Sequence, residues 1–137
     1  MDIEYLINGH FTGVFKRRYR DRVPLIRKLS IKYLCDWMLS YSSVFVSDHY
    51  LKYIGWALSD RDASCRLNAV TCLDKLCAVA NLLPHMENFI NFYHNRITMM
   101  PCDIDATVAA VSIRLMSKLA EYVPTEFVFC YLTNQQE

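Results

Sequence analysis

The sequence is poor in the residues that interrupt regular structure. Its 137 residues include only three glycines and four prolines, whereas 53% are apolar and 21% are charged. This composition excludes a collagen-like or disordered chain and is typical of one compact globular domain. A chain of this length buries roughly two-thirds of the surface that its unfolded state exposes, which is enough for a hydrophobic core.

Long apolar runs and closely spaced cysteines are also missing. No apolar run approaches the roughly 18 residues of a membrane-spanning helix, and no signal peptide opens the chain. The six cysteines contain no C-x-x-C pair, so we predict neither disulfides nor a zinc site. We therefore expect an intracellular, soluble protein with reduced thiols and no membrane partner.

Recognisable catalytic motifs are absent as well. There is no Gly-rich phosphate loop, no H-E-x-x-H and no G-x-S-x-G. The four histidines are scattered over three of the predicted helices, and Asp103 and Asp105 stand at a predicted helix start, where carboxylates complement the helix dipole. We predict that the chain is not an enzyme and requires no metal, no cofactor and no small-molecule substrate.

Helical periodicity is present throughout the chain instead. Apolar residues recur every three or four positions, and no stretch alternates with a period of two. Pro24 falls in the first turn of the second predicted helix, and Asp48 is the predicted N-cap of the third. The pattern predicts helices at about residues 3–15, 23–41, 48–59, 63–80, 84–99 and 105–122, with a seventh starting near 125.

An internal repeat relates three of these helices. Arg27, Arg66 and Ala109 hold the same position in it, at offsets of 39 and 43 residues, within the range of HEAT and armadillo helix pairs. We expect the two arginines to lie at equivalent places near their helix starts and to bond within the same or the preceding repeat. A small residue that permits close helix approach follows, and then two larger residues that fill the seam. These are Ser30, Ala69 and Ser112, then Leu34, Leu73 and Met116, then Trp37, Leu76 and Leu119.

The predicted fold is therefore all-α, with HEAT-type antiparallel helical hairpins that form a segment of an α-solenoid over residues 1–137. Each hairpin buries its apolar face against its neighbours, so such a segment is expected to belong to a longer array. A free-standing helical bundle is the alternative that the pattern leaves open.

The third predicted helix carries two aromatic residues away from its apolar stripe. Leu51, Ile54 and Leu58 form that stripe. At about 100° per residue, Trp56 points roughly 160° away from the stripe and Tyr53 roughly 140° away. Two interpretations remain open: the helix is buried on all sides, or the aromatic pair binds a partner, as aromatic residues near cations often do.

Phe92 on the fifth predicted helix raises the same question. It falls beside the inward apolar stripe of that helix, among polar residues. It either packs against the adjacent helix or forms the floor of a pocket shared with Trp56.

Several strings are more specific than a general HEAT pattern. They are R-Y-R-D at 18–21, Y-L-K-Y-I-G-W at 50–56, Ser59-Asp60, Arg66-Leu67 and Arg96-Ile97. Together they resemble the stromalin conserved domain of the STAG/stromalin (SA) subunit of cohesin, a long HEAT-repeat protein, over about residues 11–99. The resemblance implies a scaffold that binds the kleisin subunit, supports loading on DNA and serves sister-chromatid cohesion and chromosome segregation. It also implies a location in the nucleus, on chromosomes and their centromeres.

The resemblance further implies a docking surface for short aromatic motifs of regulators of the shugoshin type, completed by a kleisin segment. The matching positions are Tyr19, Arg20, Tyr53 and Trp56. On the fifth helix the family has Arg followed by Phe, whereas this chain has Phe92 and Tyr93. A hydrogen bond to a charged group contributes about 1.5–3 kcal/mol, so the loss of this cation should favour an apolar ligand residue over an acidic one.

Positive charge is concentrated between residues 16 and 22, where Asp21 is the only acid among five cations. This run is either a solvated helix end or a contact for phosphates or acidic peptides. The alternative function is therefore a DNA-binding module acting through residues 16–22, although a net charge of +1 is small for that role. The candidate DNA contacts are Lys16, Arg17, Arg18 and Lys52.

The absence of disulfides leads to a first testable prediction. Adding a reducing agent should leave the melting temperature of the chain unchanged, because no cross-link restricts the unfolded state. Differential scanning calorimetry with and without a phosphine reductant measures this directly. A fall of several degrees on reduction would reveal a disulfide.

Overall fold

The computed structural model describes residues 2–122, which contain no strand. Helices of all types account for 81% of these residues. The α-helices are α1 (Ile3–His10), α2 (Lys16–Arg18), α3 (Pro24–Ser40), α4 (Ser42–Phe45), α5 (Asp48–Ala57), α6 (Ala63–Cys77), α7 (Leu83–Phe92), α8 (His94–Met99) and α9 (Ala106–Tyr122). A π-helical turn (Phe11–Phe15) joins α1 to α2, and a 3-10 turn (Met100–Cys102) follows α8. The helix predicted from about residue 125 lies outside the described residues.

Most predicted helix bounds agree with the structure, and the differences have local causes. The predicted helix over 84–99 is interrupted at Tyr93, where φ is −95° and ψ is 12°. The N-cap of α5 is Ser47 rather than Asp48. Asp48 is instead the first helical residue, where its carboxylate still complements the helix dipole.

The repeat helices α3, α6 and α9 pack side by side, with α6 between the other two. Helix α5 contacts both α6 and α7, which places a second layer of helices beside the first. The seam residues Leu34, Leu73 and Leu119 are at most 1% exposed. This arrangement confirms an all-α fold in which each hairpin buries its apolar side against a neighbouring one.

The small residues of the repeat also occupy equivalent environments. Ser30, Ala69 and Ser112 are all buried. The hydroxyl of Ser30 donates to the carbonyl of Ile26 at 2.9 Å, and that of Ser112 donates to the carbonyl of Val108 at 2.7 Å. Because each hydroxyl is satisfied within its own helix, a polar residue can lie at a close helix contact without an unpaired group.

Two arginines at the same repeat position link neighbouring repeats. Arg27 donates from Nε and Nη2 to the carboxylate of Asp60, with both distances 2.9 Å. Arg66 donates in the same way to Asp103, at 2.9 and 3.0 Å. Each Nη1 also donates to two backbone carbonyls in the turn before its own helix. Such bidentate pairs fix both the distance and the orientation of the groups they join.

The equivalent placement of the two arginines confirms the repeat, but the expected direction of their bonds was partly wrong. The backbone carbonyls belong to the same repeat, whereas the carboxylates belong to the following one. The side-by-side packing of α3 and α6 explains this, because it brings the turn before α6 against the start of α3. Ala109 holds the arginine position in the third repeat and cannot extend the series.

The carboxylates of these pairs are charged at neutral pH. Burial alone would raise the pKa of Asp60 and of Asp103, but the arginine partners and nearby backbone amides outweigh it and hold both below the usual value. A carboxyl group whose pKa is lower in the folded state than in the unfolded state stabilises the fold. This contribution is fully present above the unfolded pKa of about 3.9. That contribution is lost as the pH falls through the lowered value.

The buried pair in the second repeat yields a stability prediction. Arg66→Ala leaves Asp103, whose side chain is 6% exposed, without its partner, and breaking a buried ion pair costs about 3–5 kcal/mol. Urea denaturation should show this loss. The matched control is Arg18→Ala, because Arg18 pairs with Asp21 at 3.3 Å but is 58% exposed. It should cost less than about 1 kcal/mol, and equal losses in the two variants would contradict the prediction.

Candidate functional site

A row of aromatic rings begins in the π-helical turn and leads to Trp56. Phe11 and Phe15 stack at 4.8 Å between centroids, and Phe15 and Tyr19 stack at 5.6 Å. These residues are four positions apart, a spacing that drifts steadily around an uninterrupted α-helix. The π-helical turn closes i→i+5 hydrogen bonds and so uses more residues per turn. It offsets the drift and keeps Tyr19 in line with the two buried rings.

Tyr53 supports the two rings at the end of this row. Its ring meets Tyr19 at 4.8 Å and Trp56 at 5.3 Å, with interplanar angles of 78° and 83°. Tyr19 and Trp56 lie nearly parallel, 6.0 Å apart. Tyr53 is 4% exposed, whereas Trp56 is 50% exposed. The helix is therefore not buried on all sides, because Trp56 is presented to solvent, but only one ring of the pair is exposed, since Tyr53 is buried beneath it.

Positive charge flanks the rings on both sides. The Nζ of Lys52 lies 5.3 Å from the ring centroid of Tyr53 and 5.8 Å from that of Trp56. The Cζ of Arg20 lies 5.9 Å from the ring centroid of Tyr19. All three distances are within the range of cation–π attraction. Lys52, predicted as a DNA contact, is thus engaged with the aromatic rings.

The rings form part of an open groove of about 1060 Å³, which we name the Trp56 groove. Its lining comprises Tyr19, Arg20, Asp21, Arg22, Pro24, Arg27, Ile31, Tyr53, Trp56, Ala57, Ser59, Asp60, Arg61 and Asp62. Asp21 and Asp60 are each paired with an arginine. Arg20, Arg22 and Arg61 are exposed and form no ion pair within residues 2–122. The remaining acid, Asp62, accepts hydrogen bonds from the backbone N–H groups of Ser64 and Cys65. Three cations that are unpaired within the described residues thus stand against one carboxylate, and the charge that the groove offers a ligand is mainly positive.

Phe92 and Tyr93 do not line this groove. Phe92 is 80% exposed and meets Tyr93 edge to face at 4.9 Å. It is thus neither packed into a helix contact nor part of a floor shared with Trp56. The ring of Tyr93 instead covers Gly55, where an added Cβ would overlap it.

The basic run lies on α2 and in the residues that follow it, at the edge of the groove. Lys16, Arg17 and Arg18 are exposed on α2. Arg18 pairs with Asp21 at 3.3 Å. The first two cations therefore remain available to a partner, and the run leads directly into Tyr19 and Arg20.

Several residues of the site were not predicted to belong to it. Arg27 and Asp60 form part of the groove wall, but they pair across 33 residues, which no local pattern indicates. Arg61 has no signal in the sequence. Gly55 did give a signal, because glycine inside a helix is unfavourable and often indicates the close approach of another group.

The part of the chain that the structure describes holds free thiols but no cluster of metal ligands. Within residues 2–122, no group of three or more His, Cys, Asp or Glu side chains is placed to hold a metal ion. No helix in that range is long and apolar enough to cross a membrane. The described cysteines are free: Cys35, Cys65, Cys72 and Cys77 are buried and Cys102 is exposed. Cys130 lies outside the described residues.

Comparison with known proteins identifies one family. The model of the Stromalin conservative domain matches residues 20–94. Cohesin subunit SA-1 of Xenopus laevis is 40% identical over 116 residues, and cohesin subunit SA-3 of Mus musculus is 43% identical over the same length. Each alignment covers 85% of this chain and 9% of the relative. Sister-chromatid cohesion protein 3 of Arabidopsis thaliana is 37% identical over 120 residues, covering 88% of this chain and 11% of the relative.

A solved structure supports the fold assignment. The chain described as cohesin subunit Scc3 from Z. rouxii, 88–1035, matches with a TM-score of 0.70 and 23% identity, covering 90% of this chain and 13% of that one. This chain thus spans about a tenth of the length of the relatives it matches. The likeness confirms a helical-solenoid fold. With its family model matched over more than half of the sequence, the chain belongs to the stromalin family of non-enzymatic HEAT-repeat subunits, which confirms both the resemblance and the prediction that it is not an enzyme.

Proposed function

We propose that this chain is part of a cohesin subunit and acts as a non-catalytic docking scaffold. Its partners are the kleisin subunit and regulators of the shugoshin type, whose short aromatic motifs bind in the Trp56 groove. The observation that carries the proposal is a half-exposed tryptophan held on a buried aromatic base and flanked by cations. The names of the relatives support a role in sister-chromatid cohesion and chromosome segregation, in the nucleus and on chromosomes, including centromeres.

The geometry of Trp56 suits an anchor for a peptide. Its ring is already oriented by Tyr19, Tyr53 and Lys52. Binding therefore requires little further ordering of this side chain, and such pre-organisation lowers the entropic cost of association. Tryptophan, tyrosine and arginine are also the residues most enriched among interface hot spots.

The charges of the groove indicate the chemistry of the ligand. An aromatic or apolar side chain would cover the exposed half of Trp56. Acidic groups of the peptide would meet Arg20 and Lys52 beside the rings, or Arg22 and Arg61, which also line the groove. Phe92 and Tyr93 remain proposed parts of the site, Phe92 as an exposed apolar position for a longer ligand and Tyr93 indirectly, through its contact with the backbone of α5 at Gly55.

The docking role predicts a separation between binding and stability in Trp56→Ala. The free energy of unfolding should fall by only about 1–2 kcal/mol, because half of the ring is exposed. Truncation of a fully buried aromatic residue costs about 3–5 kcal/mol. Peptide binding should weaken by at least about 2 kcal/mol, which is the loss typical of a hot spot. Calorimetry on the parent protein with its kleisin bound, titrated with a shugoshin-type aromatic motif, measures the binding loss.

Tyr33→Ala is the matched control for this experiment. Tyr33 is 52% exposed, and the Nζ of Lys32 lies 5.4 Å from its ring centroid, so it reproduces both the exposure and the cation of Trp56. It does not line the Trp56 groove. Unchanged binding is expected in Tyr33→Ala. Undiminished binding in a folded Trp56→Ala variant would remove Trp56 from the docking site.

A second candidate function is DNA contact through the basic run, favoured by the exposure of Lys16 and Arg17 on α2. Lys16→Glu with Arg17→Glu should weaken duplex DNA binding by the parent protein. It should also reduce the slope of log K against log salt by about 0.9 for each lost phosphate contact. Fluorescence anisotropy at two salt concentrations measures both effects.

The control is an equal charge reversal elsewhere, Lys32→Glu with Lys75→Glu, two lysines that are also exposed. An equal loss of binding in the two double variants would show that only the overall charge matters and that the basic run is not the DNA face.

A further inference from the structure

We propose that Tyr93 and Arg96 are positioning residues that fix the orientation of Trp56, Tyr93 through the backbone of Gly55 and Arg96 through the carbonyl of Leu58. The functional meaning of this clamp rests on the proposed docking role of Trp56. The clamp itself is a statement about geometry and can be tested without any ligand.

The first arm of the clamp is the contact between Tyr93 and Gly55. A Cβ placed on Gly55 would overlap the Cζ and Cε atoms of the Tyr93 ring. The ring therefore lies directly on the backbone of α5, one residue before Trp56. The other two glycines, Gly9 and Gly13, have nothing within 4 Å of such a Cβ. Gly55 is thus the one glycine of the chain whose missing side chain makes room for another residue.

The second arm is a pair of hydrogen bonds at the end of α5. The Nε and Nη2 of Arg96 donate to the carbonyl of Leu58 at 3.1 and 2.7 Å. Carbonyls in the last turn of a helix lack partners within the helix and need them from elsewhere. A guanidinium at this end also complements the negative pole of the helix dipole. Arg96 therefore holds the backbone two residues after Trp56.

The two arms enclose the turn of α5 that carries Trp56. They come from one short segment, since Tyr93 lies at the break between α7 and α8 and Arg96 lies in α8. Successive side chains on an α-helix are separated by about 100°. A modest rotation of α5 would therefore move the Trp56 ring off its contacts with Tyr19 and Tyr53. Fixing the backbone at positions 55 and 58 prevents that rotation.

This geometry changes the role expected for Tyr93. The resemblance implied a direct contact with the peptide, whereas the atoms at the far end of its ring are used against Gly55. Tyr93→Phe keeps that contact and should leave the orientation of Trp56 unchanged. Tyr93→Leu removes the flat ring and should release α5. Phe92→Leu is the matched control, because Phe92 is adjacent but 80% exposed.

The test observes Trp56 directly. The sequence contains two tryptophans, so Trp37→Phe leaves Trp56 as the only one. In that background, labelling with 5-fluorotryptophan gives a single ¹⁹F resonance, and acrylamide quenching reports the exposure of the ring. We expect Tyr93→Leu and Arg96→Gln each to shift the resonance and to raise the quenching constant. Tyr93→Phe and Phe92→Leu should change neither, with circular dichroism confirming that each variant is folded.

Binding then links the clamp to docking. With the kleisin-bound parent protein and the same aromatic peptide, Tyr93→Leu should weaken binding by about tenfold, because a misoriented anchor loses part of its contact. In a Trp56→Ala background the same change should have no further effect, since coupling in a double-mutant cycle shows that one residue acts through the other. A direct peptide contact by Tyr93 would instead give independent losses.

The outcomes separate the two proposals. If neither Tyr93→Leu nor Arg96→Gln alters the resonance or the quenching of Trp56, the clamp is wrong, whatever happens to binding. If both alter them while Trp56→Ala binds the peptide normally, the clamp stands and the docking function fails.

Discussion

The bidentate bond between Arg27 and Asp60 is the interaction on which both the fold and the site depend. It joins the start of α3 to the turn before α6, and so fixes the first repeat against the second. The same two side chains form part of the wall of the Trp56 groove. Their mutual neutralisation also matters, because it removes an acidic charge from a groove that otherwise offers free arginines. A structural contact therefore sets the electrostatic character of the surface beside it.

The aromatic side of the groove is built by a different kind of interaction. Phe11 and Phe15 of the π-helical turn and Tyr19 after α2 pack against α5, where the buried ring of Tyr53 contacts all three. Only Trp56 at the end of this assembly is substantially exposed. Apolar packing thus supplies rigidity, while Lys52 and Arg20 supply charge at its edges. Rigid support with a small exposed area is what limits the entropic cost of recognition.

Much of the fold could be predicted from the sequence, because helical periodicity and the repeat can both be read from residue spacing without knowledge of tertiary contacts. The equivalence of Arg27 and Arg66 follows from spacing alone, and the burial of Ser30 and Ser112 agrees with it. The partners of those arginines could not be predicted, because carboxylates 33 and 37 residues away are chosen by helix packing. The contact of Tyr93 with Gly55 could not be predicted either, because it depends on where two helices cross. The position of Trp56 away from the apolar stripe could be predicted, because it depends only on the spacing of residues within one helix.

The π-helical turn at Phe11–Phe15 gives this segment one place where its length can change by a residue. A turn closed by i→i+5 hydrogen bonds holds one residue more than an ordinary α-helical turn. Loss of Thr12, Gly13 or Val14, all exposed, would convert it into an α-helical turn and leave the rotational phase of the following residues nearly unchanged. Loss of a residue from α2 would instead rotate everything after it by about 100° around the helix axis, and Tyr19 would leave its place beside Trp56.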